Sequence, residues 1–177
     1  MKVIWRGPMI SDPLRDQIWK EMLTAELTQL YWEKLGHTYR SYDRNSKIFL
    51  AISTSSTVAS WTLWVQIDVL WKILSSLSAL IAIVVPVLRW EYFIEKTSEL
   101  KEGWLDIAHE YQNLWLKVET KSITSDKSVL KIRDEIFRKE KLLDSKSSSL
   151  PRDKKLIELC DDEIRTRRGL PLSPRKG

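Results

Sequence analysis

The sequence predicts an all-α membrane protein, a two-helix transmembrane hairpin with a cytoplasmic helical bundle built from the N-terminal and C-terminal segments. Three observations carry that expectation. Apolar residues recur at three- and four-residue steps along most of the chain, and strand alternation is absent. Charged residues make up 30% of the 177, yet between Ile48 and Leu88 only Asp68 and Lys72 carry charge. Aromatic residues bracket that stretch: Trp61, Trp64 and Trp71 lie near its middle, and Tyr42, Trp90 and Tyr92 near its ends.

The first helix is announced by Asp12-Pro13, a capping residue followed by a proline whose missing N–H costs nothing in the first turn. Leu14, Ile18, Met22, Leu23, Leu27, Leu30 and Tyr31 then form an apolar stripe, and Gly36 is the expected C′ residue. A link, HTYRSYDRNSK, follows, and residues 1–47 are assigned to an N-terminal cytoplasmic helix.

Residues 48–88 make the hairpin, with spans at 48–65 and 73–88, eighteen and sixteen residues long. At about 1.5 Å per residue these cover roughly 24–27 Å, slightly short of a hydrocarbon core of about 30 Å, a deficit that flanking Trp and Lys side chains make up at the interface. One continuous helix across the same residues would be about 60 Å long, too long for the core of a domain this size. A soluble helical hairpin is the alternative, favoured by the serines in the run; the mean hydropathy of −0.29 for the whole chain is an average that hides the segregation of charge.

The helical pattern continues past Leu88 through Phe93, Ile94, Leu100, Trp104, Ile107, Tyr111, Leu114, Trp115 and Val118, spaced for packing against the first helix. Thr120 to Asp126 reads as a break, with Ser125 or Asp126 capping a helix to about Leu143 whose stripe is Val129, Ile132, Ile136 and Phe137. Residues 89–144 are therefore cytoplasmic helices. Residues 145–177 are a linker (SKSSSLP), a short helix and a basic tail. That helix runs from Asp153 with Leu156, Ile157, Leu159 and Ile164 and stops at Gly169-Leu-Pro171.

Orientation follows from cations. Arg40, Arg44 and Lys47 precede the first span and Arg89 follows the second, whereas the turn offers only Lys72, so both termini are expected in the cytoplasm. Gln66 to Asp68 is then an outward turn held at the interface by Trp61, Trp64 and Trp71. Arg44, Lys47, Arg89 and Trp90 anchor the opposite side. Asp68 and Lys72 are solvated turn charges, or a charged ring at a pore mouth if subunits assemble.

Within the first span Ser53, Ser56, Thr57 and Ser60 share one helical face; in the second, Ser75, Ser78, Ala79 and Ala82 do. Such faces either zip the two spans together or line an interface between copies or a narrow polar pore, and Pro86 offers a kink.

Other chemistry is not signalled. The start MKVIWRGPMISDP lacks the apolar run of a signal peptide, so the N-terminus is expected to be retained. One cysteine, Cys160, forms no internal disulfide and fits a reducing compartment. His37 and His109 are far apart, and His109-Glu110 is not continued to H-E-x-x-H, so no metal or other cofactor is expected. There is no glycine-rich phosphate loop, no G-x-S-x-G elbow and no supported Cys–His pair, and an enzyme is not expected. Of the net charge of +5, residues 121–177 contribute 16 Lys and Arg against 10 Asp and Glu, a local +6. The basic tail, Arg165, Arg167, Arg168, Arg175 and Lys176, suits nucleic acid, anionic lipid or an acidic protein partner. It lacks the interleaved aromatics of RNA stacking, and no sequence-specific nucleic-acid readout is expected.

AELTQLYWEKLGHTYR before the spans, LWKILSSLSALIAIVVPVL in the second and EKTSELKEGWLDIAHEYQNLW after it resemble the SLATT-like two-transmembrane effectors of bacterial anti-phage conflict systems, including the two-span effectors encoded beside some retrons. The resemblance covers about residues 20–118. It implies a homo-oligomer in the bacterial inner membrane that permeabilises or depolarises the bilayer, causing growth arrest or cell death. It also implies restraint by a cytoplasmic regulatory or sensor complex, such as a reverse transcriptase with non-coding RNA or DNA. The competing expectation is a membrane-anchored adaptor that recruits a cytoplasmic partner without forming a pore.

Overall fold

The computed structural model describes residues 10–53, 68–148 and 150–172, with residues 53, 68–72, 74, 75 and 86 described by backbone alone. Among the described residues there are five helices and no strand: α1 (Asp12–Ser53), α2 (Asp68–Leu88), α3 (Trp90–Glu119), α4 (Asp126–Ser147) and α5 (Lys154–Arg167). They form two compact units. One draws on Met1–Lys34 and Ser98–Gly177, the other is Leu35–Thr97.

The first unit is a helical bundle whose core follows the predicted stripes. Leu14, Ile18, Met22 and Leu30 of α1 are buried, as are Leu100, Trp104, Ile107, Tyr111, Leu114 and Val118 of α3 and Val129 and Ile136 of α4. Their spacing puts one apolar flank of each helix inward, and burial of that flank rather than intrinsic propensity holds the helices. Phe137 and Leu159 depart from expectation and are exposed. Phe137 sits one step beyond Ile136, off the inward face, and the Lys141 ammonium lies 5.0 Å from its ring centre.

The helix ends are read from backbone hydrogen bonds. α1 begins one residue earlier than its proline signal, with the Ser11 carbonyl accepting from Leu14 N–H and Arg15 N–H. α3 closes with Lys121 at φ +57°; Ser122 N–H reaches the Lys117 carbonyl at 3.0 Å and Lys121 N–H the Val118 carbonyl at 3.2 Å. This is a Schellman motif with lysine where glycine is commoner. α5 closes the same way at Gly169, φ +66°, the stop expected from the sequence. Its start is also as expected, since the Asp153 carboxylate accepts from Lys155 N–H and Leu156 N–H.

Two sequence expectations are corrected. Gly36 does not end the first helix: α1 runs through it, and through the supposed link, to Ser53. Gly36 is buried, and a Cβ there would lie 3.0 Å from the Thr97 hydroxyl oxygen and 3.5 Å from Thr97 Cβ. The glycine serves a close helix approach rather than a left-handed cap. The SKSSSLP segment is not a free linker either. α4 extends to Ser147, and both Ser147 and Leu150 are buried. The Tyr31 hydroxyl accepts from Asp153 N–H at 3.0 Å, fixing the turn into α5.

Candidate functional site

The second unit carries the feature that most needs a function. In α2 the apolar side chains Ile73, Leu77, Leu80, Ile83, Val84, Val87 and Leu88 are all exposed, with Ile83 at 71% and Val87 at 74%, and Ile48 and Ile52 of α1 are exposed too. Residues 73, 77, 80, 84 and 87 fall on one stripe and Ile83 widens it. A helix apolar on its open face is stable only where something other than water covers it. Among the described residues no single helix is long and apolar enough to cross a membrane. Ser76–Val85 with Trp90–Glu119, a pair bent by 47°, meets the length and composition requirement jointly.

Below that face is a collar of aromatic and charged groups. Trp90 packs between Tyr39 and Tyr42, with ring centres 5.8 and 5.7 Å apart, and Tyr39 stacks on Phe93 at 5.3 Å. The indole N–H of Trp90 is buried without a hydrogen-bond partner among the described residues, so this ring is part of a packed cluster rather than a freely protruding anchor. Arg44, Lys47 and Arg89 are exposed. Lys47 pairs with Asp43 at 2.9 Å and Glu91 at 3.5 Å; its hydrogen bond to Asp43 raises its pKa above the usual lysine range. Arg89 has φ +47°, which ends α2 and lets α3 start afresh. Its guanidinium carbon lies 5.4 Å from the Tyr92 ring centre. The helical pattern read from the sequence runs straight through this break, because αL geometry at an arginine leaves no compositional mark.

The remaining residues predicted for the hairpin are placed in part. Ser78 is half-buried. Ser53 closes α1, and Asp68, Trp71, Lys72 and Ser75 belong to the backbone of α2, which starts at Asp68 itself. Asp68 and Lys72 are thus in the helix rather than in a turn. Ser56, Thr57, Ser60, Trp61, Trp64 and Gln66 lie outside the described residues, as do Arg175 and Lys176.

The basic tail is largely engaged. Arg165 pairs with Asp161 at 2.8 Å, Arg167 with Glu163, and Arg168 reaches back to Glu26 of α1, its guanidinium carbon 5.7 Å from the Trp19 ring centre. Arg165 and Arg167 are thus spent on pairs within α5, and Arg168 alone of the three ties α5 to α1.

Sequence reasoning missed a polar cluster within the bundle. Arg133 of α4 donates to both carboxylate oxygens of Glu21 at 2.6–3.0 Å, with side chains only 19% and 21% exposed. Glu140, two turns further along the same face of α4, has its pKa raised from 4.5 to about 7, chiefly by burial and further by the charges of Glu21 and Asp144, against the opposing effects of the Tyr111 hydroxyl and Arg133. Burial raises the Tyr111 phenol well above its usual range, with Glu140 adding to it. The Tyr111 hydroxyl acts on Glu140 as a polar neighbour that favours the ionised carboxylate, although among the described residues it makes no hydrogen bond of good geometry. RDEIFRKEK reads as a solvated face, and only the depth of α1 and α3 around it makes two of its charges partly internal.

No group of three His, Cys, Asp or Glu is placed to hold a metal among the described residues. His37 and His109 are exposed. Burial raises the Cys160 thiol pKa, which lowers its reactivity. Comparison with protein-family models, with curated proteins and with solved structures finds no match.

Proposed function

We propose that this chain is a membrane-embedded effector of antiviral defence. Its hairpin seats in the inner membrane with both termini cytoplasmic, assembles with further copies, and permeabilises or depolarises the bilayer when a partner releases it, arresting or killing the cell. The observation that carries the membrane part is the uncovered apolar face of α2 above a collar of Arg44, Lys47, Arg89 and aromatic rings. Leaving Ile73, Leu77, Leu80, Ile83 and Val87 in water costs up to about 1.5–3 kcal/mol each, an upper limit of roughly 7–15 kcal/mol that rivals the whole stability of a domain. Lipid removes that cost. The effector part is supported by the resemblance in residues 20–118, and by the small-residue faces through which such helices approach one another.

The test is expression without a partner. Carbonate-washed membranes should retain the protein, a potential-sensitive dye should report depolarisation, and replacing Ser53, Ser56 and Ser60 with leucine should reduce it. Retention with an undisturbed potential would identify an anchored adaptor instead, and release by carbonate would sink the membrane reading altogether.

A further inference from the structure

The second unit holds a cleft of about 410 Å³ beside the apolar face, lined by Asp43 and Lys47 of α1, Val85 of α2, Arg89, and Trp90, Glu91, Tyr92 and Glu95 of α3. Its charges sort into two groups. Asp43, Lys47 and Glu91 are paired with one another. Arg89 and Glu95 form no ion pair among the described residues, and the Arg89 guanidinium lies against the face of Tyr92.

The free charges are thus one cation and one anion. An anionic headgroup satisfies the arginine but is repelled by Glu95 and by the excess carboxylate of the paired group. A zwitterion matches both. Phosphate suits the guanidinium fork, which offers paired donors to two oxygens. A primary ammonium suits the carboxylate, because it brings three N–H donors, whereas a trimethylammonium brings none. The exposed Val87 and Leu88 directly precede Arg89, giving acyl chains an apolar wall next to the polar cleft.

We propose that this cleft is a headgroup site for phosphatidylethanolamine, with Arg89 on the phosphate and Glu95 on the ammonium. The inference rests on the membrane reading above and adds a lipid identity to it. The site selects one headgroup where a generic basic collar would select net negative charge.

The test uses the full chain in detergent micelles, with native mass spectrometry scoring lipid retained after adding phosphatidylethanolamine, phosphatidylglycerol or phosphatidylcholine. Phosphatidylethanolamine should be retained about fivefold over the other two, since an exposed charge contact is worth up to about 1 kcal/mol. Glu95→Gln should erase the preference over phosphatidylcholine. Arg89→Gln should weaken all three lipids, and Arg89→Lys should recover part of the loss. If Arg89→Gln fails to fold, the wild-type ranking and Glu95→Gln decide by themselves. Equal retention of the three lipids, or a preference for phosphatidylglycerol indifferent to Glu95→Gln, overturns the site. A carbonate wash separates the two failures: protein that stays in the membrane without the headgroup preference loses only the site, and protein that washes off loses the membrane reading too.

Discussion

Replacing Glu140 with glutamine should stabilise the bundle above neutral pH and leave it unchanged in acid. The carboxyl is pushed from 4.5 to about 7 by burial beside Glu21 and Asp144, so the folded chain holds its proton more tightly than the unfolded chain. The stability it contributes is fully present below about pH 4.5 and is lost as pH rises through about 7. Taken at full value the displacement is worth ~3 kcal/mol. The side chain is only half-buried, and screening by water reduces that to about 1–2 kcal/mol. For a chain of this length that is a gain of about 2–8 °C in Tm. Thermal unfolding of both proteins in the same micelles, followed by circular dichroism from pH 4.5 to 8, reads the effect of Glu140 and its coupled neighbours, because titrating groups that do not interact with it cancel in the difference. Parallel curves across that range would refute the assignment of a protonated carboxyl to this position.

Other perturbations separate the remaining contacts. Arg133→Ala leaves Glu21 part-buried without its bidentate partner and should cost about 2–3 kcal/mol, whereas the double change to methionines should cost less, by chemical denaturation. Gly36→Ala gains about 1 kcal/mol of helix propensity but drives a Cβ to 3.0 Å from the Thr97 hydroxyl, which is itself tied to the Phe93 carbonyl at 2.8 Å. A net loss of stability is expected, reversed by adding Thr97→Ala. Ile83→Asp should reduce carbonate-resistant membrane retention at about 2.5–3.5 kcal/mol for a mid-span aspartate; unaltered retention would mean that the α2 face is not lipid-covered.

The helices were legible where one period governed them. Val129 and Ile136 read as inward-facing from spacing alone, and Gly169 as a stop because a left-handed residue was needed and glycine was there. Glycine misleads at Gly36, where the same absent Cβ serves packing. Composition also misleads at Ser145 to Pro151. Serines signal a loop locally, but Ser147 and Leu150 are buried by tertiary packing and Tyr31 holds the backbone beyond them. The tail cations show the same limit, since charge run and ion-pair network look alike until the α1 carboxylate at Glu26 is brought alongside. Of the candidate site, the collar could be read from Arg44, Lys47, Arg89 and Trp90. The free Arg89 and Glu95 pair could not, because pairing is a property of distances.

The return of the chain's end to α1 bears on how fragments of this protein can be cut. Leu150, Cys160 and Ile164 are core residues, Lys34 meets Glu163, and Arg168 crosses to Glu26. A fragment that stops at residue 144 strips one wall from the bundle. Failure of such a fragment to capture a regulator would report a damaged scaffold and say nothing of where the regulator docks. Single charge reversals at outward positions, such as Lys127 or Lys155, leave that wall in place and map a docking face cleanly.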